Sequence, residues 1–196
     1  MSKLLLLVLL AFLAWKLFLQ PGAVELGPGV HAAGDPLQEN LDSAESFDLK
    51  GYRITPLAEF KIRAKVLSRE DYSMDDGAEL SPIDLALGWG RMSDEQVLED
   101  IQISQSGRWY RWQSSRLPIP RNEISTHSAN MHLVPADALV GDDLDIIREG
   151  QVVELTGQLI RADRDDGWHW VSSLTRNDTG ARSCELVYVE RARIIY

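Results

Sequence analysis

Six tryptophans and four histidines carry much of the side-chain chemistry in this 196-residue chain. Two groups of aromatics stand at strand spacing. In Arg108-Trp109-Tyr110-Arg111-Trp112 a strand puts Tyr110 and Trp112 on one face and Trp109 on the other, flanked by Arg108 and Arg111. Trp168 and Trp170 form a second same-face pair, with His169 opposite. Small barrels bind oligomers on exposed rings of this kind. Arg108, Trp109, Trp112, Trp168 and Trp170 therefore make a candidate glycan- or ligand-binding surface. The competing reading places the same rings in the core.

Gly88-Trp89-Gly90-Arg91-Met92-Ser93-Asp94 is a second candidate. Its glycines bend the chain around Trp89. As a docking loop it would present Trp89, Arg91 and Asp94 to a protein partner, since Trp and Arg are frequent interface anchors. As a structural bend it would bury Trp89 and use the glycines for the turn alone.

His127-Ser128-Ala129-Asn130-Met131-His132 is the third. Zinc-binding helices space their histidines i, i+4, whereas residues five apart on a helix lie roughly 140° apart. His127 and His132, even with His169 added, are weak metal candidates, and no metal or cofactor is expected. The preferred role for Asn130 and His132 is structural: hydrogen bonds to backbone groups that shape an irregular loop. Ser128 lacks a nucleophile-elbow setting, no carboxylate pair stands out, and there is no phosphate loop or dinucleotide fingerprint. No catalytic residue is assigned, and the reading leans away from an enzyme.

The elements that must position these groups follow from periodicity. Phe60, Ile62, Ala64 and Val66 alternate with Glu59, Lys61, Arg63 and Lys65, which predicts a strand with one buried face. Ser81-Pro82 predicts a helix through about Leu87, and Ser93 with Gln96 a second through about Ile101. A strand is expected over 108–114, and a helix over 135–147 with Gly150 just beyond it. Residues 151–162, 168–174 and 184–195 read as a three-stranded antiparallel meander, joined by a tight turn at Asp166-Gly167 and a second turn at Asn177-Asp178-Thr179-Gly180. The fold expected is mainly β with inserted helices, an α+β chain closing into a small OB-like antiparallel barrel of five to six strands. A plain sheet with helices on one face is the alternative.

The N-terminus decides the expected location. Lys3 precedes an unbroken apolar run from Leu4 to Trp15, then Lys16 and Leu17-Phe18-Leu19. No A-x-A-like cleavage site follows closely, which favours a retained signal anchor over a cleaved signal peptide. One transmembrane helix over 1–19 is therefore expected, with an acidic Gly/Pro-rich flexible linker over 20–50 and a globular domain over 51–196. Positive charge stays with the N-terminus, so the expected placement is single-pass in an inner membrane, with the domain in the periplasm. Secretion to the periplasm after cleavage is the alternative. The formal charge is −10, of which three lysines and six acids in residues 1–50 account for −3, leaving −7 on the domain. That balance argues against nucleic-acid binding. Cys184 is the sole cysteine, so no intramolecular disulfide forms.

The strings Gly88-Trp89-Gly90-Arg91-Met92-Ser93-Asp94, Ile103-Ser104-Gln105-Ser106-Gly107-Arg108-Trp109-Tyr110 and His127-Ser128-Ala129-Asn130-Met131-His132-Leu133-Val134-Pro135-Ala136 resemble a group of uncharacterised bacterial proteins with one N-terminal membrane segment. The resemblance spans residues from about Pro56 to the C-terminus and implies a membrane-tethered domain of a Gram-negative-type bacterium. It implies no activity and assigns no functional residue. The function expected is a membrane-tethered periplasmic interaction or structural module without catalysis, whose partner is an envelope protein. The alternative is a periplasmic glycan- or ligand-binding barrel, extending to a hydrolase that acts on cell-wall glycan.

Overall fold

The computed structural model of the chain describes residues 22–175 and 184–196. Ten strands run in the order β1 Leu37–Asn40, β2 Phe47–Leu49, β3 Tyr52–Asp71, β4 Ile83–Gly88, β5 Gln102–Ser106, β6 Trp109–Gln113, β7 Ser128–Pro135, β8 Val152–Asp163, β9 His169–Val171 and β10 Glu185–Ile194. Three short α-helices interrupt them: α1 Glu95–Leu98, α2 Arg121–Thr126 and α3 Ala138–Asp145. A 3-10 turn over Gly90–Ser93 leads into α1.

Eight strands form one mixed sheet in the order β1-β3-β4-β7-β10-β8-β9, with β2 on β3, while β5 and β6 form a separate hairpin. A further pairing joins β3 to β8, so β3, β4, β7, β10 and β8 close a circuit. Within that circuit β7 and β10 run parallel. The chain is mainly β, and the expected small antiparallel OB-like barrel of five to six strands is corrected to one large mixed sheet of eight strands. The final meander is corrected too: β8 lies between β9 and β10, because it pairs with both.

No helix among the described residues is long and apolar enough to cross a membrane. The expected transmembrane helix and single-pass inner-membrane placement therefore find no support among the described residues. Residues 1–19, on which that expectation falls, lie outside the described residues, as does the turn at 177–180.

The alternation in β3 is realised: Phe60, Ile62, Ala64 and Val66 all face the core. Lys65 departs from it. Its ammonium is buried, 2.9 Å from Glu95 Oε1 and 2.8 Å from the Gly150 carbonyl oxygen. β3 bends where its register with β8 shifts between Pro56 and Ala58. Proline has no N–H to give the ladder, so a register shift is where a strand tolerates it. Residues 81–87 form strand β4 in place of the expected helix. All six residues of Ile83–Gly88 are buried, so this strand lacks the alternation that marks a one-faced one.

The main core packs β3, β4, β7, β8 and β10 against α3 and against Trp89. Gly157 of β8 permits a close approach of two strands. A Cβ there would sit 1.9 Å from the Tyr188 carbonyl oxygen, opposite the register shift between Val189 and Arg191.

Residues 22–32 lie along the ledge formed by the 3-10 turn and α1. Glu95 accepts the N–H groups of Leu26 and Gly27, each at 2.6 Å, and Asp94 accepts that of Gly29 at 3.0 Å. Ser93 Oγ accepts those of His31 and Ala32 at 3.1 and 2.9 Å.

Candidate functional site

A cleft of about 770 Å³ opens between the turn of the β5–β6 hairpin, the loop at Asp75-Asp76-Gly77 and strand β9. Three of the expected aromatics meet on its walls: Trp109, Trp168 and Trp170. Their polar neighbours are Arg108, Arg161, His132 and His169. Among the described residues β9 pairs with β8 alone in the sheet.

Arg108 fixes one wall. It sits in the hairpin turn after Gly107, and both residues have positive φ, 57° and 68°. A non-glycine residue rarely adopts that conformation unless its surroundings enforce it. Here they do. The Arg108 N–H donates to the Tyr72 hydroxyl at 2.9 Å, and the guanidinium lies 3.7 Å from the centroid of the Tyr72 ring. Nη1 donates to Asp84 at 2.6 Å, and Nε and Nη2 donate to the two oxygens of Asp75, both at 2.9 Å. The Arg108 guanidinium holds the Asp75 carboxyl below the usual carboxylate range. Burial pushes the Tyr72 phenol up.

Asp84 is fully buried and lies directly across the β4–β7 ladder from His132. Its Oδ2 is 2.8 Å from His132 Nδ1, a close approach that lies off the axis of a straight hydrogen bond. Asn130 Nδ2 reaches the same oxygen at 3.3 Å, and Gln105 donates to Asn130 Oδ1 at 2.6 Å. A buried carboxylate is tolerated only when paired, and these contacts meet that need. They also set His132 against the Trp170 ring, with centroids 4.6 Å apart. Trp170 meets Trp168 edge-on at 6.1 Å, and Trp168 meets Tyr52 at 5.3 Å. Gly77 makes room, since a Cβ there would lie 2.7 Å from the Trp170 ring.

The other expected site residues fall elsewhere. Trp112 packs half-buried on a separate core cluster, with Arg121 stacked 4.8 Å from its centroid. Trp89 is 1 % exposed. Arg91 is ion-paired with Glu123, and Asp94 caps α1 by accepting the Gln96 N–H at 3.0 Å. The loop expected to dock a partner thus spends its groups on the chain itself. Asn130 and His132 lie in strand β7, not in an irregular loop, and their contacts are to side chains as well as to backbone. His127 sits apart from His132, beside Trp89 at a centroid distance of 6.2 Å. Among the described residues, no group of three His, Cys, Asp or Glu side chains is placed to hold a metal ion.

Sequence reasoning missed Tyr72, Asp75, Asp76, Asp84 and Arg161. Asp84 had a legible signal: one charge inside the apolar run Ile83-Asp84-Leu85-Ala86-Leu87 must find partners if that run is buried. No family model matches the chain, and no curated protein or solved structure matches it.

Proposed function

We propose that this protein is a binding module that takes a saccharide in the cleft between the hairpin turn and β9. The observation that carries the reading is the convergence of three tryptophans with planar polar side chains on one cavity. Indole faces offer apolar area to the C–H faces of a sugar ring, while Arg161 and His169 on the wall offer hydrogen bonds to hydroxyls. About 770 Å³ is within the ordinary range for a ligand site and has room for more than one ring. Arg108 and Asp84 hold one wall rigid before any ligand arrives, which lowers the ordering cost of binding.

A module docking a protein partner through the Gly88–Asp94 loop has less support, because Trp89, Arg91 and Asp94 are each engaged within the chain. The test is titration of the protein with a panel of oligosaccharides while tryptophan emission is followed. Saturable quenching is expected. An unchanged spectrum at millimolar ligand across the panel would remove the saccharide reading.

A further inference from the structure

The charges around the cleft are unequal, and the imbalance selects among saccharides. Two guanidiniums stand on its walls, Arg108 and Arg161. Arg108 is held by both Asp75 and Asp84, and Arg161 by Asp163, whose oxygens lie 2.6–3.0 Å from its nitrogens. Asp75 and Asp76 line the cleft, while Asp84 and Asp163 stand behind the two guanidiniums; Asp76 is exposed and without an ion pair among the described residues. Counting histidines neutral, among the described residues the two guanidiniums, the three carboxylates paired with them and Asp76 sum to two positive and four negative charges, a net of −2. The whole chain adds to this field, at −10.

We infer that the cleft takes a cationic saccharide, an amino sugar with a free ammonium, whose charge is met by Asp76 and the surplus of carboxylate around it. The inference rests on the saccharide reading above and adds the charge of the ligand. Among the described residues an anionic sugar finds no guanidinium on the wall whose charge is unpaired, because Arg108 and Arg161 each face a carboxylate. A neutral sugar gains the stacking but leaves Asp76 without a partner.

The rings agree with this placement. Arg108 rests 5.4 Å from the centroid of Trp170, and Arg164 5.3 Å from that of Trp168, so each of those indoles already has a cation on it. Trp109 has no arginine on it among the described residues and is 43 % exposed. It is the indole that remains for the ligand's cation or for the sugar face next to it. The Tyr52 hydroxyl donates to the Asp76 carbonyl oxygen at 3.4 Å, which ties the acidic loop to the sheet beneath it.

The experiment compares three oligosaccharides of equal length against the full chain: one of glucosamine with free amines, its N-acetylated counterpart, and one of uronic acid. Tryptophan emission is read at a pH where the amines are charged. The free-amine form is expected to bind roughly fivefold tighter than the acetylated one, the ratio a partly exposed ion pair supplies. The margin should shrink as salt is raised. Asp76→Asn should abolish most of the preference. Equal or tighter binding of the acetylated or uronate form overturns the charge inference and leaves saccharide binding intact. A preference that survives Asp76→Asn overturns the assignment to Asp76. Absence of binding by all three removes both readings together.

Discussion

Arg108 donates to Asp84 at 2.6 Å, and this contact joins the turn of a two-stranded hairpin to a fully buried position in the main sheet. The same carboxylate approaches His132 at 2.8 Å. One buried aspartate therefore orients residues from two walls of the cleft. Removing one partner of a buried ion pair leaves the other uncompensated, at roughly 3–5 kcal/mol. Asp84→Ala is expected to destabilise by about 3 kcal/mol in urea unfolding, because Asp75 still holds the guanidinium. In a double-mutant cycle with Arg108→Met, a coupling of at least about 1 kcal/mol is expected. Strict additivity would show that the pair does not act as a unit.

Trp109 and Trp112 lie three residues apart and should separate binding from stability. Trp109→Ala is expected to lower saccharide affinity by roughly tenfold while moving the unfolding midpoint little, since the ring is exposed. Trp112→Ala removes a half-buried ring from the third core cluster. It should cost about 2 kcal/mol and leave affinity unchanged. Reversed effects would move the site off the cleft.

Gly157→Ala tests the packing beneath the site. The added methyl would meet the Tyr188 carbonyl oxygen, a backbone atom that cannot rotate away. A loss of about 3 kcal/mol is expected by denaturant titration. A neutral result would mean that β8 and β10 can separate locally.

The ledge holding residues 22–32 should weaken in acid. Burial pushes the Glu95 carboxyl up, but the Leu26 N–H, the Lys65 ammonium and the Gly27 N–H together outweigh it and hold the group below its ordinary value. A carboxylate depressed in the folded state contributes stability that is present above its unfolded pKa and is lost as pH falls through the folded one. Amide exchange at Leu26 and Gly27 should therefore speed up in that acidic window beyond the intrinsic pH trend. Glu95→Gln should raise exchange there by about tenfold at neutral pH and remove the acid dependence. Equal protection in the variant would show that other contacts hold the segment.

At the alkaline end, burial pushes the Tyr110 phenol up to about 12, against the opposing hydrogen bond to Ser128. A group whose pKa is raised on folding stabilises below its unfolded value, and that stability is lost as pH climbs through the folded one. Stability should fall by roughly 2–3 kcal/mol between about pH 10 and 12. Tyr72 and Tyr188 shift in the same direction, so Tyr110→Phe is the discriminating variant. It should flatten most of that slope.

Much of this was legible where the pattern is local. The alternation of Phe60, Ile62, Ala64 and Val66 gave β3 its buried face, and Asp166-Gly167 marked the turn between β8 and β9. Arg108 and Trp109 were legible as candidates, as were Trp168 and Trp170, because aromatics cluster in both stretches with charged or polar neighbours. β4 was not legible as a strand. A run buried on both faces has no period to read, and Ser81-Pro82 imitates a helix start. The pairing of β7 with β10 was also hidden, since parallel neighbours can lie far apart in sequence.

The sequence by itself determined residue chemistry and local geometry: an acidic chain, a lone cysteine, strands with one wet face, and tryptophans waiting for a surface. Tertiary structure alone decided which of them meet. Asp84 and His132 are 48 positions apart in sequence, yet the β4–β7 register sets them opposite each other, and the hairpin turn swings Arg108 onto the same carboxylate. Register and loop closure are set by the whole sheet at once, through the burial of every strand's apolar face. A site assembled from three elements therefore has no signature in any one of them.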